Sequence, residues 1–314
     1  MSQARAILLM VFITLLWSTA GVVTRHLDST RGIELSFWRS LITAIALSMY
    51  LTYVRGPGFL RSLLRPSQIV WVSGICWAIM LSAFLIALTL TSVANVLIIM
   101  SLGPLITALF ARLLLKHRLL PITWLAIVVA GFGIVWMFSS GDDASISVLG
   151  SCIALSIPLA GALNFTLMQY VGLQKDPVTS EMSSPAHDME QALLLGALIS
   201  ALATLPLAWP FEANVHDLTL LGMLAVFQVS TPCLLVIGVS RILPAPEITL
   251  LSLLEVIFGV TWAWLWAGET ISADTLIGGS LVLGALTANG CARIIRERRS
   301  RTHSSTRPPQ SNYP

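Results

Sequence analysis

Charge is what this sequence has least of. Only 11% of its 314 residues are Asp, Glu, Lys or Arg, against about 25% in soluble domains. That scarcity, with 56% hydrophobic residues and a mean hydropathy of +0.84, excludes a soluble globular fold and points to a chain that spends most of its length in lipid. Paired cysteines are missing too. Cys76, Cys152, Cys233 and Cys291 stand singly in apolar runs, which excludes a zinc ribbon or a CxxC redox site and leaves them reading as small buried hydrophobes. The five histidines include no HExxH and no pair at ligand spacing, so neither a metal nor any other cofactor is expected. There is no GxxxxGK[ST] loop to hold nucleotide phosphates and no GxSxG elbow. No basic, aromatic-interleaved surface suggests nucleic acid as a partner.

Long apolar runs are what remains. A bilayer-spanning helix needs about 20 mostly apolar residues, and runs of that kind occur at 6–24, 35–54, 69–89, 93–112, 120–138, 147–168, 191–209, 218–238, 245–266 and 275–292. They are continuously apolar rather than alternating with period two, so helices are expected and barrel strands are not. The first run has the length of a span and no cleavage signal after it, and reads as an uncleaved helix. The expected fold is therefore an all-α polytopic membrane protein of ten helices in a lipid bilayer. Between 172 and 190 lies a Ser-, Pro- and charge-rich loop, and the basic stretch 294–314 reads as a disordered tail.

Lysine and arginine set the orientation. With the N-terminus inside, fifteen of them fall in inner segments and only Arg25 and Arg31 in outer ones, Arg39 lying within the second span. Both termini are expected to be cytoplasmic, with Asp28, Glu34, Glu212 and Asp217 among the acids outside. Residues 92–134 lie over 244–286 at an offset of 152 without a gap, though only four of the forty-three pairs are identical. Five spans per unit force the second copy to be inverted, so the chain divides into 1–143 and 144–293, with a binding site expected where the halves meet.

Several segments carry a resemblance: LLWSTAGVVTRHL (Leu15 to Leu27), SFWRSLITAIAL (Ser36 to Leu47), TSVANVLIIMSLGPLITALFARLLLKHRL (Thr91 to Leu119), PAPEITLLSLLEVIFGVTWAWLWAGE (Pro244 to Glu269) and GGSLVLGAL (Gly278 to Leu286). They resemble the drug/metabolite transporter superfamily, in particular its ten-helix EamA-type members. Two positions depart from that pattern. Lys116-His117 stands where a Gly-Glu pair is usual, although Gly268-Glu269 is present after the ninth helix, and Glu255-Val256 replaces a Glu-Pro pair whose counterpart Gly103-Pro104 keeps its proline. The resemblance implies two inverted repeats around a central cavity, the fifth and tenth helices at the periphery, and transport of small metabolites, often outward across a bacterial inner membrane.

Glu255 is the residue that most needs a reason. A charge at mid-bilayer costs about 2.5 to 3.5 kcal/mol on insertion scales, so such groups face a partner or a wet cavity. Helical spacing puts it on one stripe with Ser252, Gly259, Trp262 and Trp266, a lining suited to an organic cation, an amino group or a proton. Packing alone is the competing reading. Gly103-Pro104, Pro158 and Pro232 are expected to interrupt the fourth, sixth and eighth spans. Arg39, about one turn inside its span, is expected to snorkel to the interface, pairing with an anionic substrate being the other reading. Gln228, Asn164, Trp17, Ser18 and Thr19 complete the polar or amphipathic groups within spans. Trp124, Trp136, Trp209 and Trp266 fit interface anchors. The expected function is a secondary transporter, reading as an exporter of a small polar or amphipathic solute, with protons as a candidate co-substrate. A membrane-embedded enzyme and a non-transporting sensor are the alternatives.

Overall fold

The computed structural model describes residues 3–28, 31–56, 58–59, 63, 66–115, 121–139, 147–173, 185–243, 245–266 and 273–305, and every element among them is helical. In chain order these are α1 (Gln3–Ser18), α2 (Ala20–Arg25), α3 (Gly32–Arg55), α4 (Gln68–Leu90), α5 (Val93–Met100), α6 (Gly103–Leu115), α7 (Pro121–Ser139), α8 (Val148–Leu173), α9 (Pro185–Ala208) and α10 (Val215–Met223). A π-helical turn (Leu224–Ser230) follows, then α11 (Thr231–Val239), α12 (Ala245–Leu251), α13 (Leu253–Trp266) and α14 (Ala273–Ser305). Eight stretches are long and apolar enough to cross a membrane, and two shorter apolar stretches, Trp124–Gly133 and Leu276–Gly290, lie in α7 and α14.

Three of the apolar runs are broken, besides the eighth, which changes its winding at the π turn. The first breaks at Thr19, the fourth at Ser101 and Leu102, and the ninth at Ser252. Around each break amides bond three residues back instead of four: Thr19 to Leu16 (3.3 Å), Leu102 to Ile99 (3.1 Å), Glu255 to Ser252 (3.0 Å). At each break, too, a hydroxyl turns back onto the carbonyl three residues before it: Ser18 to Leu15 (2.8 Å), Thr19 to Leu16 (2.7 Å), Ser101 to Ile98 (2.6 Å) and Ser252 to Thr249 (2.8 Å). Side-chain hydroxyls thus add a bond to the backbone at each break, which helps a broken helix survive where water is scarce.

Proline behaves less uniformly than its residue type suggests. Gly103 and Pro104 do open a new helix, and Pro232 follows the π turn, but α8 runs unbroken through Pro158. The ring removes one hydrogen bond there, and the rest of a helix that extends from Val148 to Leu173 holds it together. Other boundaries also differ from expectation. α9 begins at Pro185, inside the expected loop, whose residues 174–184 lie outside the described set. α14 continues to Ser305, so the first part of the basic tail is helical; its run of Ile, Arg and Glu holds good helix formers and its first proline is Pro308. Residues 306–314, Lys116-His117 and Gly268-Glu269 lie outside the described residues.

The helices pack through small and hydroxylated residues, as expected where lipid removes the hydrophobic drive between helices. α4 and α9 make the closest long contact together with α7 against α14. At Gly196 of α9 there is no room for a methyl group, since a Cβ would meet the Gly74 carbonyl at 2.8 Å and collide with Trp77 of α4. Ser200 bonds both Ser40 and Ser82 at 2.7 Å, joining α9 to α3 and α4. Asn95 reaches Ser151 at 2.8 Å, joining α5 to α8.

Opposite ends of α3 carry different clasps. At its start, buried Glu34 accepts from the backbone amides of Glu212 and Ala213 at 2.7 and 2.8 Å, while Arg31 lies 3.6 Å from Glu212 and donates to the Pro210 carbonyl. At its end, Arg55 grips Glu190 of α9 with two bonds of 2.9 and 3.1 Å.

Candidate functional site

Between the broken helices lies a cavity of about 130 Å³. Seven residues singled out from the sequence are on its wall: Trp17, Arg39, Gly103, Pro158, Gln228, Ser252 and Glu255. They come from α1, α3, α6, α8, the π turn, the α12–α13 break and α13. Residues more than two hundred positions apart therefore meet on one cavity wall.

Glu255 is 8% exposed, sits in the first turn of α13, and its carboxylate makes no hydrogen bond or ion pair among the described residues. The dipole at the start of α13 favours its negative charge.

Arg39 corrects the expectation of a snorkelling side chain. α3 begins at Gly32, so Arg39 sits two turns in, and only 1% of it is exposed. Its guanidinium donates to the Leu81 carbonyl (2.6 Å) and to Gln228 Oε1 (3.3 Å), and stacks 5.6 Å from the Phe84 ring. α4 and the π turn close over it, leaving no outward path. Its partners are neutral, and it makes no ion pair among the described residues. Gln228 lies inside the π turn, whose wider winding is stabilised by Ser230 donating five residues back to Ala225 at 2.7 Å.

Three candidates lie elsewhere. Asn164 is fully buried and accepts from Ser73 at 2.5 Å, tying α8 to α4. Trp262 donates to Ser18 at 3.1 Å and stacks on Trp266 at 4.7 Å. Gly259 lets α13 lie against Leu97. The stripe from Ser252 to Trp266 therefore divides: its first turn meets the cavity, Gly259 and Trp262 pack on α5 and α1, and Trp266 is exposed. Pro104 is buried next to Gly103 but off the wall.

Sequence reasoning missed Trp77, Phe84, Thr107 and Cys233, all on the wall. Trp77 and Phe84 share a face of α4 at a spacing of seven, and Thr107 follows Gly103 by one turn; those spacings were the available signal. Cys233 and Cys76 are buried as expected, whereas Cys152 is exposed. Cys233 lies near Trp17 and within electrostatic reach of both Arg39 and Glu255. Away from the cavity, Asp28, His216 and Asp217 bring ligand atoms within 4.8 Å of one another, unforeseen from their spacing. Their atoms are already engaged, Asp217 with the Asp28 amide at 2.8 Å and Asp28 with Asn214 at 2.8 Å. They serve as a second clasp beside Glu34.

Membrane-length apolar helices, broken around a buried cavity that carries isolated charge, define a membrane protein built to hold a small solute. The chain belongs to the EamA-like transporter family, whose profile matches twice, at residues 4–139 and 148–289. It is thus a membrane transporter, embedded in a lipid bilayer and acting on a small molecule. It is similar to the uncharacterized transporter YyaM of Bacillus subtilis (strain 168), 26% identical over 265 residues that cover 82% of this chain and 84% of that protein. A crystal structure of a protein with 20% identity shares the fold with a TM-score of 0.63, covering 94% of this chain and 99% of that one.

Proposed function

We propose that the chain is a proton-linked secondary transporter that exports a small polar or amphipathic solute by alternating access, with the cavity at Glu255 as its substrate site. The observation that carries this reading is the unpaired Glu255 carboxylate on the cavity wall. A buried acid without a partner needs a proton or a cationic group to offset the lost hydration, and the two compete for it.

In this reading the protein crosses the bacterial inner membrane ten times as two inverted repeats, 1–143 and 144–293, with both termini cytoplasmic. Two findings support the repeat. One family profile matches each half, and the offset of 152 residues carries Ser101 at the first central break onto Leu253, next to Ser252 at the second. Paired discontinuous helices of this kind are where inverted-repeat transporters hold their substrates.

The test is flux in proteoliposomes with an imposed pH gradient. Wild-type protein moves substrate in response to the gradient, while Glu255→Gln, which cannot release a proton, loses that response. Gradient-driven flux that survives in Glu255→Gln overturns the proposal.

A further inference from the structure

The basic end of α14 is helical, and that fixes the height at which its charges stand. α14 runs for 33 residues, from Ala273 to Ser305, a length of about 50 Å against about 30 Å for a hydrocarbon core. Its apolar part is shorter, Leu276–Gly290. After it, residues 293–301 hold five arginines (Arg293, Arg296, Arg298, Arg299 and Arg301) and one acid, Glu297. Two measures of depth agree on where the core ends. From Asp274, the acid in the first turn, about twenty residues of helix cross the core and reach Ile294. The neighbouring helices give the same level. α13 ends at Trp266 and α14 starts at Ala273, so the two run back along each other, and Gly290 lies against Leu250. Beyond that contact α12 extends only to Ala245, whereas α14 continues to Ser305. α14 therefore leaves the bundle close to Ile295.

Arg296, Arg298, Arg299 and Arg301 then follow within about 8 Å of helix rise, and one headgroup layer is about 5 to 8 Å deep. Arg241, exposed in the turn before α12, adds a cation at the same end. A disordered basic tail spreads its charge through water; a helix continuous with a span holds it at the level of lipid phosphate. We infer that residues 293–301 of α14 form a binding surface for anionic lipid headgroups, with phosphate as the recognised group and the surrounding leaflet as its source. Arginine suits that acceptor, because its planar fork of donors matches two phosphate oxygens at once. Each basic residue beside an anionic surface strengthens the attraction about fivefold, and Glu297 offsets one of the five. The surface is separate from the cavity, and its action depends neither on the substrate nor on which leaflet this end of α14 meets.

The test is lipid selectivity of the full chain in phosphatidylcholine vesicles that carry a trace of spin-labelled phosphatidylglycerol or spin-labelled phosphatidylcholine. The fraction of each label immobilised by the protein gives their relative affinity. Phosphatidylglycerol is expected to be favoured several-fold at low salt, and the preference to shrink at about 1 M salt, where the screening length is about 3 Å. A variant combining Arg296→Gln, Arg298→Gln, Arg299→Gln and Arg301→Gln is expected to lose most of the preference. Its changes lie beyond the bundle, so its melting temperature is expected to match wild type. A second variant separates height from charge. Eight residues of Gln and Ala inserted after Ile295 keep every arginine and lift them about 12 Å, more than a Debye length at physiological salt, and are expected to abolish the preference equally. A preference that survives the fourfold change or the insertion overturns the inference. Equal affinity of the wild-type protein for both lipids also overturns it, and joined to retention of an RNA homopolymer it reassigns these arginines to nucleic acid.

Discussion

Buried charge in this molecule is of two kinds, and hydrogen bonding separates them. Glu34 is as buried as any residue in the chain, yet one of its oxygens accepts from two backbone amides, at 2.7 and 2.8 Å. Its role is to hold the 210–213 segment onto α3. Glu34→Ala leaves those amides without an acceptor and is expected to cost about 2 kcal/mol, a fall of about 5 °C in the melting temperature, with substrate affinity unchanged in binding assays. Glu255 shows the reverse pattern, with burial but no partner, so Glu255→Gln is expected to leave the melting temperature within about 2 °C while removing the pH response of flux. Finding Glu255 needed only its depth in an apolar run. Arg39 was equally visible and was misread, because its place near a span end permits snorkelling and only the packing of α4 and the π turn closes that route. Trp77 and Thr107 were legible as residues but not as donors, since sequence does not reveal which hydroxyl or indole is left without an acceptor.

At the scale of elements, the broken helices matter more than the whole ones. The first central break announces itself through Gly103 and Pro104; the second, at Ser252, carries no glycine or proline and is recognisable only by the hydroxyl that bonds back to Thr249. Apolar run length therefore located the eight membrane-length stretches but could not show that three of them are interrupted, because hydropathy is blind to a missing backbone bond. Glycine has two distinct uses here, which substitution separates. At Gly196 a methyl group meets the backbone of α4, and Gly196→Ala is expected to destabilise by about 2 kcal/mol through overpacking, read as a lower melting temperature. At Gly103 nothing lies within 4 Å of a built Cβ. Gly103→Ala is accordingly expected to melt as wild type while its new methyl group intrudes on the cavity and weakens substrate binding several-fold.

Across the whole molecule, the exterior is apolar in a manner no water-soluble protein tolerates: Leu8, Leu113, Val128, Leu202 and Leu207 are each at least 65% exposed. A lipid annulus accounts for them, and polar groups gather instead at the two ends of α3 and at the cavity. Those ends are unlike. One is fastened by Glu34, Arg31 and the Asp28–Asp217–Asn214 set, the other among the described residues by the single Arg55–Glu190 pair, which is partly exposed. An exposed ion pair contributes about 0 to 1 kcal/mol, whereas the first clasp combines several bonds with buried acceptors. The Arg55 end is thus the weaker fastening, and on the proposed transport reading the cavity is expected to open more readily there. Cys233 on the cavity wall reports on this directly. In a Cys76→Ser, Cys152→Ser, Cys291→Ser background, maleimide labelling of Cys233 is expected to be slow and to accelerate several-fold in Arg55→Gln, with the reagent supplied on the side that carries Arg55. Faster labelling from the Glu34 side instead would place the readier opening at the other end and reverse the assignment of the two seals.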